Sequence, residues 1–248
     1  MKYLAPYIFT LLCWAILYSL TTVPAITLYA FIFFVVVFIV FALVIGGRTF
    51  RHWNFWLNNF LFLVSAFGFV LIIASPLVRN AYIAAFGILA GLMWYVAIRY
   101  FEHAEGFLAH TYLHFIGFIY LITFWQMTAL LYFMLLSYET PFWAPGLILL
   151  VYTFILGRGI ILAHGLKKSS EALVLTVLTL TSFEIFYFVR LLPLHYYVLA
   201  TLVASWYFFI IEMVLSGQEI TSRRKIFKIY TSILIAVVAV LLLTASWE

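Results

Sequence analysis

Residues Ala172 to Leu192 read ALVLTVLTLTSFEIFYFVRLL. The run is long enough to cross a bilayer, whose hydrocarbon core of ~30 Å needs about 20 apolar residues of helix, yet it holds Glu184 well inside. An acid at membrane depth is costly, so it needs a reason in the fold or in the function. This stretch therefore sets the class, a helical membrane protein, and names the first residue to be explained.

The composition of the whole chain agrees. Its 248 residues are 68% hydrophobic and only 8% charged, with a mean hydropathy of +1.20; so few charges cannot cover the surface of a soluble domain. The 13 Lys and Arg exceed the 8 acids, giving +5. In a nucleic-acid binder such an excess forms a basic patch, but here the cations lie between apolar runs, which is the pattern of membrane orientation. No nucleic-acid partner is expected. There is no aspartate, and the one cysteine, Cys13, lies in the first apolar run. Disulfides and CxxC redox or zinc motifs are thereby excluded.

Working outward from Ala172, runs of spanning length fall at residues 4–20, 25–45, 55–74, 81–98, 112–136, 145–162, 172–192, 194–215 and 226–245. The first, after Met1 and Lys2, has the form of a signal peptide with a cleavage point near Ala25. A second run follows within a few residues, so it reads as a retained first helix. The expected fold is an all-α polytopic bundle of nine spans.

The loops carry a second signal, because cytoplasmic loops collect Lys and Arg. With the N-terminus in the cytoplasm, the inner segments hold Lys2, Arg48, Arg51, Arg99, Arg158, Lys167, Lys168, Arg223, Arg224, Lys225 and Lys228, which is 11 of the 13 cations. Arg79 and Arg190 fall on the other side. An odd number of spans then puts the C-terminus, Trp247 and Glu248, outside, and the expected location is the cell membrane. No connection reaches 15 residues, so there is no room for an extramembrane domain, and a single domain over residues 1–248 is the simplest organisation.

Residues 31–45 and 233–243 contain no polar side chain, and spans two and nine are expected to face lipid on most sides. Span four carries Gly87 and Gly91 at the GxxxG spacing that lets another helix approach closely. In span eight Thr201, Ser205, Phe208 and Glu212 recur at i, i+4, i+7 and i+11, one face of a helix; that face looks into the bundle or into a cavity. Gln126, in the middle of span five with Thr123 a turn away, and Glu184 on a face with Leu180, Thr181 and Tyr187 add spans five and seven to the expected interior.

Arg158 follows Pro145 by 13 residues and lies ~20 Å from the outer face at 1.5 Å per residue, between Glu184 at ~12 Å and Glu212 at ~27 Å. Two readings follow: a charge relay through all three, or no relay, with one internal ion pair and the other acid protonated or at the interface, or with Arg158 simply reaching the inner headgroups. The second neutralises buried charge at lower cost and is favoured. Gly157 and Gly159 make no phosphate loop, since no strand precedes them.

Five histidines map to the inner side, most densely in EHAEGFLAHTYLH, which holds His103, Glu105, His110 and His114. His110 and His114 are four apart and share a helix face; with Glu105 and with His164 from the next inner loop they compose a candidate nitrogen and oxygen metal site. HExxH is absent, and histidines suit a membrane interface without any metal. No cofactor is expected other than this candidate metal ion.

Absent motifs exclude several activities. Without aspartate there is no aspartyl protease and no Asp-rich diphosphate site; GxSG and a P-loop are missing, and no lysine lies in mid-span for a retinal. Three classes survive. The first is a non-catalytic component or scaffold of a membrane assembly, with other membrane subunits and the lipid bilayer as partners. The second is a small transporter or channel using Glu184, Arg158, Glu212, Gln126, Thr201 and Ser205, and the third a metal-dependent or lipid-modifying enzyme using the histidines. Composition favours the first, because carriers of hydrophilic solutes expose more polar groups within the bilayer.

Overall fold

A computed structural model describes residues 4–22, 27–46, 53–102, 107–164, 168–216 and 223–244, without the side chains at several helix ends, among them 41–46, 107–111 and 223–226. The described residues form nine helices and no strand. They are α1 (Ala5–Thr22), α2 (Thr27–Gly46), α3 (Trp53–Ile72), α4 (Pro76–Glu102), α5 (Phe107–Ser137), α6 (Trp143–Ala163), α7 (Lys168–Val189), α8 (Tyr196–Ser216) and α9 (Arg223–Thr244). Six of them, α3 to α8, hold described stretches long and apolar enough to cross a membrane. The described apolar parts of α1, α2 and α9 are shorter, at Pro6–Thr22, Tyr29–Val40 and Phe227–Leu241.

Each helix falls on one of the nine apolar runs, and the differences lie at the ends. The run 172–192 stops early: α7 ends at Val189, and Arg190 to Leu192 form a tight turn in which Leu191 and Leu192 donate to the carbonyls of Phe188 (3.1 Å) and Val189 (3.0 Å). Pro193 is the reason, since its ring disfavours helical geometry in the residue before it. His195 then opens α8, its Nδ1 accepting from the Tyr197 amide at 3.4 Å. At the other extreme α5 has 31 residues, or ~46 Å of helix, more than the hydrocarbon needs.

The chain packs as two compact units, Met1–Ile119 and Tyr120–Glu248, divided within α5. In the first, α1 lies closest to α4, and α2 and α3 complete the packing. Trp94 is central: its ring centroid is 5.2 Å from Phe9 and 5.1 Å from Trp56, joining α4 to α1 and α3. Phe62 and Phe86 pack at 4.7 Å. On α2, Ala30, Phe34 and Phe38 are buried while Tyr29, Ile32, Phe33, Val36, Ile39 and Val40 are exposed, so the described part of this largely apolar helix has a broad exposed side.

In the second unit α6, α7, α8 and α9 pack each against the next. The later part of α5 is tied in by Tyr132, whose hydroxyl donates to the Phe186 carbonyl of α7 at 2.8 Å, and by Phe124, stacked on Tyr207 of α8 with centroids 4.0 Å apart. Small residues bring α6 and α7 together: a Cβ on Gly157 would lie 2.7 Å from Leu178 Cδ2, and one on Gly146 2.8 Å from Phe183. Pro145 is tolerated because it sits in the first turn of α6, where amides lack helical partners anyway.

Candidate functional site

Arg158 is near the end of α6 and Glu171 is in the first turn of α7, so the short connection between the helices brings them together: Arg158 Nε is 3.3 Å from Glu171 Oε1. The acid also suits the positive end of the α7 dipole. Neither Glu184 nor Glu212 is the partner of Arg158. Glu212 accepts a hydrogen bond from the Tyr230 hydroxyl of α9. Glu184 is exposed, and among the described residues it has no hydrogen-bond or ionic partner. The three groups of the relay reading therefore have three separate surroundings.

The surroundings of Glu184 depart from the expectation of an interior α7. Only 22% of the apolar window of α7 is buried, against 67% for α3. Leu173, Val177, Leu180, Tyr187 and Phe188 are exposed along with Glu184, so the acid has apolar side chains on both sides of it along one helix face. It lies five residues before the end of α7, or ~8 Å along the axis. The guanidinium of Arg190, the nearest cation in sequence, sits 4.5 Å from the Phe142 ring and 5.1 Å from the Tyr187 ring, a cation–π arrangement.

The stripe on α8 has a different setting. Thr201, Ser205 and Phe208, with Ala204, line a cleft of about 380 Å³. Tyr230, Ile233, Leu234 and Val237 of α9, again one helical face, line it as well, as do Phe209 of α8 and Leu121, Ile122 and Trp125 of α5. The hydroxyls are used locally. Ser205 donates to the Thr201 carbonyl (2.7 Å) and Thr201 to the Tyr197 carbonyl (2.8 Å), while Thr201 Oγ1 also accepts from Trp125 Nε1 at 3.0 Å. The cleft thus presents chiefly carbon. Gln126 and Thr123 are buried and engaged within the protein.

Gly87 and Gly91 lie where α1 crosses α4. A Cβ on Gly87 would collide with the Trp14 indole, and one on Gly91 with Thr10 Oγ1, 3.3 Å from the Pro6 carbonyl oxygen. The space has a use, since Trp14 Nε1 donates to the Ala84 carbonyl across this contact at 3.1 Å.

Of the histidine group, His103 and Glu105 lie outside the described residues, and the His110 side chain is not described. His114 is exposed on α5. His164 ends α6 and donates from Nδ1 to the Ile160 carbonyl at 3.0 Å. Among the described residues no three His, Cys, Asp or Glu side chains converge as metal ligands.

Two polar residues gain importance only from the fold. Asn58 and Asn59, on α3, are 0% and 1% exposed, and neither amide atom of Asn59 has a hydrogen-bond partner among the described residues. The Trp56 indole nitrogen, one turn earlier, is likewise buried and has no hydrogen-bond partner among the described residues. The signal was present in the sequence as two adjacent amides inside an apolar run, WNFWLNNF.

Comparison with known proteins finds no match to a protein family, to a curated protein or to a solved structure.

Proposed function

We propose that the chain is a non-catalytic component of a membrane assembly, crossing the cell membrane nine times from a cytoplasmic N-terminus and docking a partner along the outer face of α7. The observation that carries this reading is Glu184, exposed and unpartnered among the described residues on an otherwise apolar helix face. An acidic residue exposed to hydrocarbon is costly, and the cost grows with its depth. Lipid tails offer no compensation; a basic side chain from another helix at the same depth does, so the partner is a transmembrane helix carrying Arg or Lys.

The other polar groups support a structural role. Thr128, Thr153 and Thr181 donate to the carbonyls of Phe124, Leu149 and Val177 four residues back, as Thr201 and Ser205 do on α8. Hydroxyls bonded to their own helices do not form a relay for a solute or a proton. Arg158, Glu184 and Glu212 have separate surroundings, which lends the transporter reading less support than the structural one.

The test is photo-crosslinking in native membranes from positions 173, 177, 180 and 188, with position 235 on the exposed side of α9 as reference. The α7 positions are expected to label one protein, and Glu184→Leu to abolish that label, while position 235 labels lipid. Lipid adducts alone from every α7 position would overturn the proposal.

A further inference from the structure

Arg190 lies at the end of the second unit where α5 and α7 stop and α6 and α8 begin. Its guanidinium sits in a corner of two rings, 4.5 Å from Phe142 and 5.1 Å from Tyr187, and those rings meet each other at 5.2 Å and 75°. Phe142 is fixed in turn by Phe183 and Phe186 of α7, at 5.7 and 5.8 Å. The cation is therefore held in place before any ligand arrives. We infer that it binds the phosphate of a phospholipid whose acyl chains lie against the apolar surface around it.

The rings leave the donors of Arg190 unused. Aromatic faces attract a guanidinium through their quadrupole, but its N–H groups, set in a planar fork, still need acceptors. Among the described residues no oxygen accepts from them. Glu139, the acid of the neighbouring α5–α6 connection, is exposed and forms no ion pair among the described residues. Phe142 moreover opens α6 without a side-chain cap, so the positive end of a helix dipole begins at the residue the guanidinium touches. Two positive features with no anion paired to them among the described residues call for one, and the fork of an arginine matches two oxygens of a phosphate.

The surroundings identify the source of that phosphate. Tyr138, Trp143, Phe188 and Leu191 are all largely exposed at this end of the unit. Tyr and Trp gather at the headgroup level of a bilayer, which sets Arg190 at the level of the phosphates. A free anion would leave those apolar side chains uncovered, whereas a phospholipid brings chains that cover them. Glu184 takes no part in the site, which stands apart from the α7 docking reading.

The test is native mass spectrometry of the full chain in mild detergent, titrated with phosphatidylglycerol, with phosphate-free diacylglycerol of the same acyl chains, and with inorganic phosphate. Phosphatidylglycerol is expected to bind about tenfold more tightly than diacylglycerol, the worth of one charge-assisted hydrogen bond. Arg190→Gln should bring phosphatidylglycerol down to the level of diacylglycerol. Arg190→Lys, which keeps the charge and loses the fork, should weaken phosphatidylglycerol severalfold without changing diacylglycerol, and gives the same reading should the glutamine variant fail to fold. Lys228→Gln, at a cation elsewhere on the surface, should leave both lipids unchanged. Equal binding of the two lipids by the unaltered chain, a phosphatidylglycerol affinity unmoved by the Arg190 changes, or a loss as large in Lys228→Gln would each overturn the inference. Displacement of phosphatidylglycerol by an equal concentration of inorganic phosphate would overturn it too, since the site would then take the free ion.

Discussion

Arg158 Nε lies 3.3 Å from Glu171 Oε1, linking the last turns of α6 to the first turn of α7. The pair forms at the end of the helical hairpin, where Arg158 keeps 49% of its side-chain surface exposed. Glu171 and Glu184 are 13 residues apart on α7, or ~20 Å along the axis, so the arginine paired with Glu171 is out of reach of Glu184.

An ion pair so exposed contributes little, typically about 0–1 kcal/mol. A double-mutant cycle on Arg158→Gln and Glu171→Gln, followed by thermal unfolding in detergent, should give a coupling of about 0.5 kcal/mol. The matching cycle between Arg158 and Glu184 should give none. A coupling in the second cycle that exceeds the first would restore the internal charge relay.

At the crossing of α1 and α4 two effects oppose each other in Gly87→Ala. Alanine gains roughly 1 kcal/mol of helix propensity over glycine, while forcing a side chain into a filled contact costs about 1–3 kcal/mol. The methyl would land on the Trp14 indole, which is itself fixed by its bond to the Ala84 carbonyl, so the clash wins and the melting temperature falls. Trp14→Ala in the same chain should make the added methyl neutral or favourable, which thermal melts of the single and double variants will read.

Asn59 is buried with both amide atoms unpaired among the described residues. Leaving a polar group in that condition costs about 1–3 kcal/mol, and an apolar residue of the same size escapes the penalty. Asn59→Leu is therefore expected to raise thermal stability. A loss of stability would mean that the amide is satisfied in the membrane, by water or by a bound group.

The sequence made some features legible and hid others for identifiable reasons. The nine apolar runs locate the helices because length and hydropathy are local properties, and Pro193 marks where α7 stops even though the apolar run continues through Leu192. The α8 stripe was readable because Thr201, Ser205 and Phe208 repeat at the helical period, and a cleft lies against them. The period shows which residues share a face but not which way that face turns, so Glu184 suggested an inward α7 where the helix presents it outward. Depth estimates from Pro145 placed Arg158 between Glu184 and Glu212, but its partner, Glu171, was set by how two helix ends meet. Asn59 carried no periodic companion, and only burial singles it out.

The central claim is that the exposed acid on α7 joins this chain to another membrane protein. Native mass spectrometry of complexes released directly from membrane vesicles tests it most directly, comparing the unaltered chain with Glu184→Leu and with Arg158→Gln. The unaltered chain and Arg158→Gln should each carry a second protein at fixed stoichiometry, which Glu184→Leu loses while keeping its helical circular dichroism. A bare chain in all three samples, or a partner that stays bound after Glu184→Leu, would contradict the account.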